Sequence, residues 1–251
     1  MKKLTLLILS ILIFNNIKAN SIDDLYNTAN NLYKQQQYDS ALTIYNSMMQ
    51  EGIIKADIYF NIGNVYFKKK EYGKAILNYE KAKKLNPSDE DVIFNLEVAN
   101  TKIIDKIEPL PKPFYKRWWI NFADLFTING WSIISIVFLT LFAFAIAIFL
   151  ISKNVFLKKV LFYNSFLLLF ISIISIFFAR YINNELNKNN YAIITPISAT
   201  IKSSPDDKST DIFVIHEGLK VEIVDNLENW SEIKLENGEK GWIKNSLFEK
   251  I

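Results

Sequence analysis

From Phe126 to Ile182 the chain has no acidic residue, and between Trp131 and Ala179 its only charges are Lys153, Lys158 and Lys159. Within that stretch, Trp131 to Ser152 is a run of 22 uncharged residues and Val160 to Ala179 one of 20. Each is long enough to cross a hydrocarbon core of roughly 30 Å. A purely soluble fold is excluded, and a transmembrane hairpin is expected, with spans at 131–152 and 160–179 and a cytoplasmic loop at 153–159. Neither span carries Asp, Glu, His, Lys or Arg. A proton or ion path would have no residues to run on, so the hairpin reads as an anchor in the lipid bilayer.

The remainder is polar enough to fold in water, because the whole chain is 22% charged despite being 50% hydrophobic. Its chemistry is narrow. There is no cysteine and one histidine, His216, which removes disulfides, thiol catalysis and the usual zinc sites. No catalytic residue, metal site or cofactor is expected, and the chain reads as a non-enzyme. The formal net charge of +3 is dispersed, and no basic stripe stands apart from acids to attract nucleic acid.

Lys2 and Lys3, the uncharged run Leu4–Phe14 and the small Ala19 form an export signal over 1–19, either cleaved or retained as an anchor. Eleven residues are too few to span on their own. Three cations flank the first span (Lys112, Lys116, Arg117) and three lie in the hairpin loop, so the charge rule alone ties. The signal breaks the tie. With residue 20 exported, the parts before and after the hairpin both lie on the outer, periplasmic face of an inner membrane.

Between signal and hairpin the sequence repeats. Tyr38, Ala41 and Tyr45 recur 34 residues later as Tyr72, Ala75 and Tyr79, which is the tetratricopeptide period. The second unit carries the full pattern: Tyr59, Ile62, Gly63 and Tyr66 on a first helix, Ala75, Tyr79 and Ala82 on a second, and Pro87 closing it. The first unit is looser. A third stretch, Asp89–Lys106, has Glu97 where the pattern wants Gly or Ala, and is read as a polar cap closing the array over 20–106.

Such arrays bind partners on the face of their first helices. In register, the candidate groove residues are Tyr26, Asn30, Tyr33 and Lys34 in unit one and Phe60, Asn64, Phe67 and Lys68 in unit two. An extended peptide would meet aromatic steps and amide donors. The alternative is that the aromatics pack between helices and the lysines are only solvated. A carboxylate clamp is not expected, since Asp91 stands where it would need a lysine.

Pro109, Pro111 and Pro113 hold an extended linker, and Lys116, Arg117, Trp118 and Trp119, followed by Phe122, Leu125 and Phe126 at helical spacing, suit an interfacial helix within 107–130. After a polar linker at 180–191, residues 192–251 change to alternation. Five strands are expected, at Ala192–Thr195, Ala199–Lys202, Val221–Val224, Glu232–Leu235 and Lys240–Ile243, with Asn237-Gly238 as a hairpin turn. This resembles an SH3-like barrel of the bacterial extracytoplasmic kind, with Phe213, Trp230, Trp242 and Phe248 as core. The fold class is therefore multi-domain: all-α tetratricopeptide repeats, a two-helix transmembrane hairpin and a C-terminal all-β SH3-like barrel.

The ordered set of segments 61–64, 73–80, 89–97, 106–111 with Arg117-Trp118-Trp119, and 202–206 with His216-Glu217-Gly218 resembles the BatE family of the Bacteroides aerotolerance (Bat) operon. The resemblance spans the chain. It implies a scaffold working with other Bat-operon membrane proteins, including von Willebrand A-domain proteins, in aerotolerance. The alternative class is cell-wall attachment, with the barrel contacting peptidoglycan.

Overall fold

The computed structural model describes residues 22–186 and 190–251, so the expected signal peptide lies outside the described residues. The chain forms two compact units. One comprises residues 22–109 with 190–251, and the other residues 110–186.

The first unit begins with five helices: α1 (22–34), α2 (Tyr38–Gln50), α3 (Ala56–Lys68), α4 (Tyr72–Leu85) and α5 (Glu90–Asn100). They pair as antiparallel hairpins because apolar residues recur at helical spacing and small residues stand where the axes come closest. Gly63 is the clearest case: a Cβ there would lie 2.6 Å from the Tyr79 ring, which is itself 1% exposed. Helix α5 starts at Asp89, whose carboxylate accepts from the amides of Asp91 and Val92. The period reaches the backbone, since Gln36 and Lys70, 34 apart, both hold the positive φ that ends a first helix.

The same unit contains a seven-stranded antiparallel sheet: β1 (Tyr191–Ile194), β2 (Ser198–Lys202), β3 (Asp211–His216), β4 (Lys220–Leu227), β5 (Trp230–Lys234), β6 (Lys240–Lys244) and β7 (Phe248–Lys250), in the order β3-β2-β6-β5-β4-β1-β7. One face is buried. Ala192, Ile194, Ile201, Ile215, Val221, Ile233 and Ile243 form a single cluster against which Phe213 of edge strand β3 and Phe248 of edge strand β7 both pack. Opposite edges converging on one core require the sheet to curl.

Several expectations change here. Two strands, β3 and β7, were not anticipated; β3 follows the Ser/Asp-rich loop 203–210, whose turn signals masked the start of a strand. Trp230 and Trp242 are not core. Ser231 and Ile233 on β5, and Gly241 and Ile243 on β6, are the buried residues, so alternation turns both indoles to the other face, where Lys244 lies 5.4 Å from the Trp230 ring. In the Asn237-Gly238 turn only Gly238 takes positive φ; Asn237 acts through its side chain, accepting from the Glu239 amide.

Array and sheet share a packed boundary. Ile193 of β1 belongs to the same buried cluster as Ile76, Leu77 and Tyr79. Gly73 and Gly218 meet backbone to backbone: a Cβ on Gly73 would lie 3.1 Å from the Gly218 nitrogen. Ion pairs surround the contact, with Lys220 2.8 Å from Glu80 and Lys81 2.6 Å from Glu249. The lone histidine is hydrogen-bonded nearby: Asp105 accepts from the His216 backbone amide and lies 2.8 Å from its Nδ1.

The second unit holds α6 (Phe114–Ala123), α7 (Ile128–Ile151) and α8 (Val155–Leu186). Helices α7 and α8 are long and apolar enough to cross a membrane. Helix α8 begins before and ends after the expected span. Asn154 Oδ1 accepts from the amides of Phe156 and Leu157, starting the helix where a seven-residue loop was expected. At its other end the helix continues through 180–186, read from sequence as linker. Its core is aromatic at one end, where Trp131 stacks on Phe178 at 5.0 Å, and elsewhere serine: Ser135 and Ser172 hydrogen-bond at 3.1 Å.

Candidate protein-binding groove

Each first-helix asparagine anchors the repeat. In unit one, Asn30 Oδ1 accepts from the Tyr45 hydroxyl at 2.5 Å and from Asn61 Nδ2 at 3.0 Å. In unit two, Asn64 Oδ1 accepts from the Tyr79 hydroxyl at 2.8 Å and from Asn95 Nδ2 at 2.9 Å. All three positions advance by 34 residues. One carbonyl oxygen thus joins a first helix to the second helix of its own unit and to the first helix of the next, fixing the step between units. Burial pushes the hydroxyls of Tyr45 and Tyr79 well above the ordinary tyrosine pKa, so both remain donors across physiological pH.

Asn95 lies on α5. That helix, expected to cap the array, occupies the place of a third first helix, in register. Glu97, the residue that argued against a repeat, is exposed because no second helix of a third unit presses on it.

Between α1, α3 and α5 lies a groove of about 270 Å³ lined by Tyr33, Asn64, Phe67, Lys68, Tyr79, Phe94, Asn95 and Val98. Four of the eight residues proposed from sequence line it: Tyr33, Asn64, Phe67 and Lys68. Tyr33 and Phe67 also pack on Tyr38 at 5.7 Å and Tyr72 at 5.5 Å. The other four are placed differently. Tyr26 sits edge-on to Tyr45 at 6.3 Å and accepts from Asn61 Nδ2, and Phe60 packs on Tyr79 at 5.9 Å. Asn30 is engaged in the ladder, and Lys34 is exposed outside this lining.

Residues 56–89 match the tetratricopeptide repeat family. Repeats of this kind are non-catalytic protein-interaction modules, and the matched segment supplies the central helix of the groove. No curated protein matches the chain.

Phe94 and Asn95 were missed by sequence reasoning, although Phe60 and Asn61 displaced by 34 residues point to both. Phe94 is 64% exposed, unusual for a phenylalanine beside a groove. With its oxygen occupied, Asn64 keeps Nδ2 without a partner among the described residues, while Asn95, whose nitrogen is occupied, keeps Oδ1. The wall therefore offers one donor and one acceptor side by side, the complement of a peptide amide.

Proposed function

We propose that this protein is a non-enzymatic membrane scaffold whose array grips an extended protein segment, with the C-terminal sheet serving as a second, SH3-like module. The observation that carries this reading is the groove shared by three first helices, with packed aromatic walls, an amide pair and Lys68 at the rim. Aromatic side chains dominate hot spots in such clefts. An SH3-like barrel is supported by the curl of the sheet, whose two edges pack on one core.

The membrane reading has support from the first unit. Array and sheet fold together although α7 and α8 separate them in sequence, so if the hairpin crosses a bilayer, it leaves and returns on the same side. An export signal makes that side periplasmic. The partners suggested by the family resemblance are the von Willebrand A-domain proteins of a Bat aerotolerance complex.

The test is photocrosslinking in cells, with a benzoylphenylalanine replacing Phe94 in the full chain. Crosslinks to a membrane protein that vanish on Lys68→Glu support the groove, whereas their absence, with the protein co-sedimenting with isolated cell walls, favours wall attachment through the barrel. Sidedness is read by Ser203→Cys and Lys153→Cys, each the only thiol in its variant. An impermeant maleimide should label position 203 and spare 153, and the reverse pattern inverts the topology.

A further inference from the structure

We infer that the junction of α6 with the hairpin is a binding site for one anionic glycerophospholipid, an inference that rests on the membrane reading above. Helix α6 is pinned. Trp119 packs on Phe178 at 4.9 Å, on Phe177 at 5.8 Å and on Tyr181 at 6.0 Å. Trp131 Nε1 donates to the Ala123 carbonyl at 2.8 Å, tying the end of α6 to α7. This collar stands where the apolar run of α8 ends at Ala179-Arg180, the depth at which indoles and phenols partition to a bilayer interface.

Against the collar lies a cavity of about 500 Å³ lined by Tyr115, Lys116, Trp118, Trp119, Ile120 and Tyr181. Its walls are aromatic and aliphatic, with one cation. Trp118 is 68% exposed and Tyr115 57%, so the cavity opens outward rather than into the hairpin core. The same end of this unit carries Lys112, Lys116, Arg117 and Arg180 against Asp124 and Glu185, an excess of positive charge.

An amphiphile fits this combination. Its phosphodiester would sit at Lys116 and its glycerol on the indoles. Its acyl chains would continue along Phe170, Ile173 and Phe177 of α8, which are 60%, 56% and 53% exposed and unbroken by charge. A zwitterionic headgroup would bring its own cation into the positive end, so an anionic one is preferred.

The experiment uses the full-length protein. Retention in membranes at alkaline pH is measured first. The protein is then reconstituted in nanodiscs of equal phosphatidylglycerol and phosphatidylcholine, and the lipids it keeps on release are counted by native mass spectrometry. Phosphatidylglycerol should be kept in preference. Lys116→Gln should lower the ratio of the two lipids roughly fivefold, while Lys153→Gln at the opposite end of the hairpin should leave it unchanged. Extraction at alkaline pH would overturn the membrane reading and the site together. A membrane-retained protein without lipid preference, or one in which both substitutions act equally, would overturn the site alone and leave the anchor standing.

Discussion

In the array and sheet large apolar side chains fill the interior: Tyr45, Tyr79, Ile76 and Ile193 are each at most 1% exposed. In the hairpin Phe144 is 63% exposed, Phe156 75% and Phe170 60%, while Ser135, Ser165, Ser172 and Ser175 are buried. One chain thus contains a unit with apolar groups inward and a unit with apolar groups outward. Water drives the first arrangement, since burying apolar area is its main source of stability. The second would be untenable in water, where apolar patches beyond a few hundred Å² attract partners; in lipid, outward phenylalanine costs nothing, and helices associate through small residues and occasional hydrogen bonds. On the membrane reading proposed above, the difference between the units reports a difference in solvent.

The sharpest way to break the water-facing unit is to overfill it. Gly63→Leu drives branched bulk into the Tyr79 ring, which is also tied through its hydroxyl to Asn64, so neither ring nor helix can retreat. A loss of about 3 kcal/mol is expected, read as a lower melting temperature of the helical circular dichroism signal in detergent. Asp39→Ala, which removes an exposed partner of Lys69, should cost at most about 0.5 kcal/mol. Equal melting of the two variants would contradict the close approach at Gly63.

The unit with apolar groups outward breaks in the opposite way. Phe144 is exposed, so Phe144→Arg adds a charge without disturbing any packed neighbour; were the unit facing water, stability would barely change. In a bilayer the substitution opposes insertion of α7 by about 3 kcal/mol, and a glycosylation reporter fused beyond the span should show a mixture of inserted and uninserted chains.

Much of this contrast was legible in the sequence, and the parts that were not have physical reasons. The 34-residue period exposed the array because Gly63, Ala75 and Tyr79 do one packing job that few other residues can. Glu97 argued against a third repeat because the pattern tests for a small residue that only a following helix demands, and Glu97 meets no such helix. Asn30 and Asn64 were identified as donors to a peptide; that their oxygens are committed to tyrosine and to the next unit depends on contacts 15 and 31 residues apart. The docking of sheet on array was hidden altogether, because Gly73 and Gly218 are 145 residues apart and neither lies in a pattern that asks for glycine.

That docking is itself open to a graded test. Gly218 has φ +86°, and a Cβ there would lie 2.5 Å from Ile103 Cγ2 and 3.1 Å from Ile76 Cδ1. Gly218→Ala combines backbone strain with a clash at the boundary, for an expected loss of about 2 kcal/mol. Hydrogen exchange should show α4 and β1 losing protection together. If only the sheet loosened, the array would be an independent domain, and the argument that both parts share one side of the membrane would weaken.

The smallest effect expected concerns charge on the array surface. Lys74 lies 2.6 Å from Glu71, and Lys69 bridges Glu71 at 3.4 Å to Asp39 at 2.5 Å, joining the two repeats. The hydrogen bond from Lys74, helped by its charge and that of Lys69, holds the Glu71 carboxyl below its ordinary value of 4.5. A depressed carboxylate pKa contributes stability that is fully present above the ordinary value and is lost as pH falls through the folded-state value. The Glu71 side chain is 34% exposed, so screening limits the contribution to about 0.5 kcal/mol, or roughly 1–2 °C in melting temperature. Glu71→Gln should therefore melt slightly below the parent at pH 7, with the gap closing as the pH drops through the folded-state pKa and shrinking in high salt. A gap that persisted in acid would assign the loss to packing of the Glu71 stem, and the surface charges of this unit would then contribute solubility rather than cohesion between its repeats.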